Sequence, residues 1–101
     1  MKDYVNKCIN ANQIEGVTTL TGKLYFYEDG LVFKAQSVNG VISKPKILYS
    51  DIEEVKGRNT LGLIPNGIAL RNNEGVSFNF VVTRRNDVIA FIKQKTEMTK
   101  G

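Results

Sequence analysis

The residues best suited to chemistry in this sequence are bases, and their charge suits the binding of anions. They concentrate in two stretches: residues 34–58 hold five bases and three acids, and residues 84–101 hold five bases and two acids. The candidate contacts are Lys44, Lys46, Lys56, Arg58, Arg84 and Arg85. A base close to an anionic membrane contributes about 1 kcal/mol of attraction. We therefore predict contact with an anion or an anionic lipid surface, against the alternative of solvated side chains partly paired with Asp51, Glu53 and Glu54.

A second candidate is the loop of residues 59–65, which is rich in large apolar side chains. They are Leu61, Leu63 and Ile64. Such side chains are unusual in an exposed loop, so two interpretations stay open. The loop inserts into a membrane or contacts a partner, or it folds back and plugs one end of the fold. The following Asn66–Gly67 pair predicts a tight turn.

The residue types that most catalysis needs are missing or isolated. The chain has no histidine and one cysteine, Cys8, which removes the commonest general acid or base and the usual ligands of zinc. Asp51, Glu53 and Glu54 are neighbouring carboxylates, but no nucleophile or phosphate-binding loop accompanies them. We therefore predict a protein that is not an enzyme and uses no cofactor or metal. Cys8 is expected to be a small buried apolar residue.

The bulk composition predicts one folded domain over residues 1–101. A chain of 101 residues with 42% hydrophobic residues can bury one core without disulfides. The single cysteine and the lack of an apolar leader predict a cytoplasmic protein with peripheral membrane contact at most. The net charge of +4 is too small to favour a nucleic-acid partner.

Alternating apolar residues predict the strands that position these candidates. Leu24 and Phe26 alternate with other residues, as do Phe78 and Phe80, and a period of two gives a strand one buried face. Turn signals such as Asp29–Gly30 separate the runs. The predicted strands cover residues 5–14, 17–28, 31–38, 41–49, 52–57, 67–72 and 75–82. Many short strands with regular turns indicate an antiparallel barrel.

The periodicity changes to that of a helix after residue 82. The apolar residues that fall on one side of this helix are Val88, Ile89, Phe91 and Ile92. Thr83 or Asn86 suits the N-cap position. We predict one amphipathic helix over residues 84–97, packed on the sheet or over an open end of the barrel.

Several motifs resemble the GRAM branch of the pleckstrin-homology superfold. They are GKLYFY at residues 22–27 with LVF at 31–33, SDI at 50–52 with Val55, RNTLGLIPNG at 58–67, and FVV at 80–82 before the helix. The third motif is similar to a loop of many bacterial GRAM-like sequences. The resemblance spans residues 16–95. It implies a seven-stranded antiparallel barrel of the pleckstrin-homology type, capped by one C-terminal amphipathic helix.

The resemblance also implies a binding module used at membranes or as an adaptor. In the lipid-binding members of that superfold, bases on the first inter-strand loop and on the second strand hold inositol phosphates. Here that loop, residues 14–17, carries Glu15 and no base, and Lys23 is the single base on the next strand. We therefore predict weak peripheral binding to anionic phospholipid. The alternative is an adaptor that binds a protein partner or a second copy of itself and no lipid.

Overall fold

The computed structural model describes residues 3–60 and 64–100. These residues form eight strands, a short 3-10 turn at Tyr49–Asp51 and one helix, α1, at Arg85–Lys100. The strands are β1 (Cys8–Glu15), β2 (Thr18–Phe26), β3 (Gly30–Ser37), β4 (Gly40–Ser43), β5 (Ile47–Leu48), β6 (Ile52–Thr60), β7 (Ile64–Asn72) and β8 (Ser77–Val82). The predicted architecture, mainly β with one C-terminal helix, is confirmed.

The strands form one antiparallel sheet in the spatial order β4-β3-β2-β1-β8-β7-β6, and β5 pairs with the first residues of β3. The barrel is open rather than closed, because no backbone pairing joins β4 or β5 to β6 in residues 3–60 and 64–100. A mouth lies between β5 and the residues before it on one side and the end of β1 and β8 on the other.

The predicted strand over residues 41–49 is two strands, because Pro45 interrupts it. Proline has no N–H to donate to a neighbouring strand, so it ends regular pairing. β4 therefore ends at Ser43 and β5 begins at Ile47, and the two pair with different parts of β3. Lys44 and Lys46 flank the break instead of lying on one face of a continuous strand.

Aromatic rings meet at the centre of the core between the sheet and α1. The ring centroids of Tyr4 and Phe26 are 5.3 Å apart, and Phe91 of α1 lies 5.5 and 5.6 Å from them. Tyr49 lies 6.2 Å from Phe91, and its hydroxyl donates to the carbonyl oxygen of Tyr27 at 3.0 Å. Burial raises the pKa of Tyr49 above its ordinary value, because the phenolate would lose its hydration.

The predicted apolar face of the helix is the face that packs against the core. Its buried or half-buried members are Val88, Ile89, Phe91 and Ile92. Because α1 begins at Arg85, Asn86 lies inside the helix rather than at its N-cap. Across residues 3–60 and 64–100 no helix combines the length and apolar character needed to cross a membrane.

The prediction that Cys8 is buried is wrong. Cys8 is exposed at the first position of β1. The buried residues of β1 are Ala11 and Gln13, so the odd positions face inward, and alternation turns Cys8 outward. The strand was predicted to begin at residue 5, whereas it begins at Cys8. The prediction therefore did not establish which residues of this strand face the core.

Candidate functional site

The structure divides the six candidate bases between separate places. Two flank the break between β4 and β5, two lie at the start of α1, and two lie on the edge strand β6. In that order they are Lys44 and Lys46, then Arg84 and Arg85, then Lys56 and Arg58. The first pair and the second pair line different cavities.

The lysines of this set are paired with acids. The Lys44 ammonium lies 3.4 Å from the Glu15 carboxylate, and the Lys46 ammonium lies 2.9 Å from that of Asp29. Lys56 on β6 is 3.8 Å from Glu54, which also lies 3.7 Å from the Arg71 guanidinium. Exposed pairs of this kind contribute little to stability, but they compensate the lysine charges locally.

Replacing Lys46 with methionine is expected to raise the pKa of Asp29 toward its ordinary value. The hydrogen bond from Lys46 is the largest of the effects that lower this pKa in the folded protein. The pair therefore stabilises the fold at neutral pH, and that contribution is lost as the pH falls through the lowered pKa. An NMR titration of the carboxyl carbon measures the shift. Lys44→Met, which removes a partner of Glu15 instead, is the control, and an unchanged Asp29 pKa in Lys46→Met would contradict the assignment.

The mouth of the sheet is a cavity of about 640 Å³ whose rim has mixed charge. Its rim bases and acids are Lys44, Lys46, Glu15, Asp51 and Glu74. Recognition of a phosphate group needs convergent donors without competing carboxylates. The mouth is therefore poorly suited to an anion, which agrees with the lack of bases on the loop of residues 14–17.

The α1 corner is a second cavity, of about 450 Å³, between β1, the first residues of β7 and the start of α1. Its polar lining residues are Asn10, Asn12, Asn66, Thr83, Arg84 and Arg85. No carboxylate belongs to this lining. The combination of amide, hydroxyl and guanidinium groups supplies hydrogen-bond donors and positive charge, which suits an anion.

Arg85 attaches the start of α1 to β6. Its Nη1 donates to the carbonyl oxygen of Arg58 at 3.1 Å and lies 3.4 Å from the side-chain oxygen of Asn59. The guanidinium packs against Gly57, where a Cβ atom would meet Nη1 at 2.8 Å. Its Nε is buried and has no hydrogen-bond partner within residues 3–60 and 64–100. A buried donor left unpaired costs about 1–3 kcal/mol, so the local polar network is incomplete.

Arg58 lies on the outward face of β6, and Arg84 directly precedes Arg85 at the start of α1. Arg58 crosses β7 at Gly67, where a Cβ atom would collide with its side chain, and the described residues give it no acidic partner. Arg84 has a φ of 54°, which residues other than glycine seldom adopt, and its Nε lies 2.9 Å from Asp87. Backbone strain of this kind often occurs at binding sites.

The apolar loop is shorter than predicted, because β7 begins at Ile64. The turn predicted at Asn66–Gly67 is wrong, since both residues belong to β7 and Gly67 pairs with Arg58 of β6. Ile64 is 50% exposed, so for this residue the interpretation as a plug is wrong. Leu61 and Leu63 lie outside the described residues.

The amide side chains of the α1 corner were missed by the sequence-based reasoning. Asn10 and Asn12 were assigned no role from the sequence, whereas the structure places both in the lining of the cavity. Their position depends on the pairing of β1 with β8, which joins residues far apart in sequence. No local pattern signals that contact.

The described residues of the α1 corner offer groups that bind anions. Across residues 3–60 and 64–100 no group of three or more His, Cys, Asp or Glu side chains is placed to hold a metal ion. The α1 corner contains donors and positive charge, and so it is able to bind and orient an anion.

Comparison with known proteins identifies the fold. No family model matches the chain, and no curated protein matches it. Among solved structures, the C-terminal domain of an unknown protein from Leishmania infantum is similar at 15% identity and a TM-score of 0.75, covering 92% of this chain and 84% of that one. The Slm1 pleckstrin-homology domain in complex with D-myo-inositol 4-phosphate is similar at 9% identity and a TM-score of 0.64, covering 96% of this chain and 99% of that one.

A further structure of the Slm1 pleckstrin-homology domain, in complex with inositol 4-phosphate, matches with a TM-score of 0.61 and 9% identity, over 98% of this chain and 99% of that one. At such identities the likeness concerns the fold alone. The open antiparallel sheet with its C-terminal helix is therefore a pleckstrin-homology-like fold.

Proposed function

We propose that this protein is a non-catalytic binding module that attaches weakly to anionic phospholipid membranes through the α1 corner. The observation that carries the proposal is the lining of the α1 corner, where Arg84 and Arg85 lie among amide and hydroxyl groups and to which no carboxylate of residues 3–60 and 64–100 belongs. Arg58 adds a base on the neighbouring outward face of β6, and Asp87 compensates part of the charge of Arg84 at 2.9 Å. Bases that each contribute about 1 kcal/mol or less give weak, salt-sensitive attachment.

An exposed apolar side chain supports the same surface. Ile64 begins β7 and is half exposed, and its neighbour Pro65 lines the α1 corner. An apolar residue beside a basic cluster enters the interfacial region of a bilayer while the bases stay with the headgroups. The proposed contact thus combines both candidate features of the sequence, the basic residues and part of the apolar loop.

Two likenesses support a lipid ligand. The Slm1 domain, which has the same fold, was solved in complex with an inositol phosphate, and the motifs of the sequence resemble the GRAM branch of this superfold. We place the ligand contact at the α1 corner because the mouth of the sheet has acids on its rim.

Co-sedimentation with vesicles tests the proposal. The protein is expected to bind vesicles of phosphatidylcholine and phosphatidylserine at low salt, and to bind less as salt shortens the range of the charge interaction. Arg58→Gln/Arg84→Gln is expected to weaken binding by roughly tenfold or more, since two bases are lost. Arg85 is kept in place because it holds α1 to β6.

The control for this test is Lys7→Gln/Lys93→Gln, which removes the same charge from exposed positions outside the α1 corner. Equal sedimentation with neutral and anionic vesicles would contradict the proposal, as would equal losses in the two double variants.

A second candidate function is protein interaction through β4. This strand ends the sheet, all four of its residues are exposed, and Val41 and Ile42 are 58% and 52% exposed. An exposed edge strand accepts a further strand from a partner or from a second copy. Self-association that rises with concentration, together with a lack of vesicle binding, would favour this function over membrane attachment.

A further inference from the structure

A row of polar side chains crosses the outer face of four neighbouring strands. Lys23 of β2 lies directly opposite Asn10 of β1 and opposite Lys34 of β3, and Lys34 lies opposite Ser43 of β4. Directly paired residues of antiparallel strands point to the same face, with Cβ atoms about 5 Å apart. These four residues, called the outer row below, therefore present two ammonium groups between an amide and a hydroxyl.

The two lysines of the outer row carry like charges at directly opposite positions, and the described structure contains no acid that compensates them. Glu15 is the single acidic residue in the strands β1 to β4, and it pairs with Lys44. Neither Lys23 nor Lys34 forms an ion pair in residues 3–60 and 64–100. Like charges directly opposite on a sheet are destabilising, so the pair is a local cost that an anion would remove.

The position of Lys34 is fixed more firmly than that of an ordinary surface lysine. Its ammonium lies 4.6 Å from the centroid of the Tyr25 ring, and the residue is half-buried. A cation over an aromatic face is attracted by the ring. Because one of the two ammonium groups is held in place, less conformational freedom is lost when an anion binds between them.

We propose that the outer row binds a phosphate group between Lys23 and Lys34. A phosphate monoester carries a charge close to −2 near neutral pH, which matches the two ammonium groups. The lysines act as point charges, so the site recognises the charge and oxygens of the phosphate rather than a particular molecule. The phosphate belongs to a lipid headgroup or to a soluble phosphorylated compound.

The outer row is a separate claim from membrane attachment at the α1 corner. The two surfaces meet at Asn10, which also lines the α1 corner, but their bases differ. Loss of Arg58 and Arg84 therefore leaves the outer row intact, and loss of Lys23 and Lys34 leaves the α1 corner intact. Each proposal can therefore be contradicted by experiment without affecting the other.

A titration with inorganic phosphate at constant ionic strength tests the chemistry of the site. Backbone amide NMR signals of residues 23 and 34 are expected to shift and to saturate in the wild-type protein. In Lys23→Gln/Lys34→Gln the apparent affinity is expected to fall by about tenfold or more, whereas Lys93→Gln, which removes an exposed base of α1, should match the wild type. Shifts that do not saturate, or that persist unchanged in the double variant, would overturn the proposal.

Thermal unfolding separates loss of the site from loss of the fold. Lys23→Gln removes the repulsion, so without phosphate its melting temperature is expected to equal or exceed that of the wild type. Addition of low phosphate concentrations at constant ionic strength should then raise the melting temperature of the wild type more than that of Lys23→Gln. An equal rise in both proteins would also overturn the proposal.

Vesicles of matched surface charge distinguish the two sources of phosphate. Phosphatidic acid offers a phosphate monoester, and phosphatidylglycerol offers a diester. Preference for phosphatidic acid in the wild type, lost in Lys23→Gln/Lys34→Gln and kept in Arg58→Gln/Arg84→Gln, supports a lipid headgroup at the outer row. Saturable binding of inorganic phosphate without this preference supports a soluble phosphorylated compound.

Discussion

Replacing Phe91 with alanine is expected to lower the free energy of unfolding by about 3–5 kcal/mol, the usual cost of removing a buried aromatic ring. Phe91 is 2% exposed, and its ring meets those of Tyr4, Phe26 and Tyr49 within 6.2 Å. Most domains of this size are stable by 5–15 kcal/mol, so the variant is close to unfolding. Urea denaturation followed by circular dichroism measures the loss.

The matched control is Phe78→Ala. Phe78 is only half-buried at the side of the core, so its removal should cost distinctly less. Similar losses in the two variants would show that Phe91 does not carry the packing of α1 on the sheet. Because α1 begins in the α1 corner, loss of that packing would also disturb the proposed membrane contact.

The second large effect is expected at Gly22, where alanine should cost at least about 3 kcal/mol, at the upper end of the range for overpacking. A Cβ atom at Gly22 would collide with the carbonyl of Lys34 and lie 2.8 Å from the Cα of Ala35. These are backbone atoms of the paired strand β3, which are unable to turn away. Gly22 is opposite Ala11 as well as Ala35, so small residues meet where the strands approach closely.

Gly57→Ala is the matched control for Gly22→Ala. Gly57 is also a strand glycine, but the group that its Cβ atom would meet is the end of the flexible Arg85 side chain. The loss of stability in urea denaturation should therefore be smaller. Equal losses would mean that Gly22 is required for a reason other than the close approach of β3.

The strands and the helix were predictable because their signals are local. Leu24 and Phe26 alternate with outward residues, and the structure buries both, as period-two patterning requires. The break at Pro45 shows the limit of such reasoning, since apolar residues on both sides of it continued the pattern while the missing N–H stopped the pairing. Cys8 was misplaced because a strand with many asparagines gives no clear inward face.

The candidate site was predictable in residue type and not in arrangement. Counting charges selected Arg84 and Arg85, which line the α1 corner, and Arg58, which contacts Arg85 through its backbone carbonyl. The same count grouped them with Lys44 and Lys46, which pair with acids elsewhere. It also passed over Lys34, because its position opposite Lys23 follows from the register of β2 and β3. Which residues are neighbours across a sheet depends on the pairing and register of strands that are separated in sequence. A single sequence carries little information about that pairing.

The pairing of β1 with β8 has a consequence for how the chain folds. The hairpins β1–β2–β3 and β6–β7–β8 join residues that are close in sequence, whereas the contact of Ile14 with Asn79 and its neighbours joins the two halves of the sheet. Closing so long a loop is slow. During synthesis on the ribosome, the free edge of β1 therefore waits until β8 has emerged, and in that interval it is open to pairing with other nascent chains.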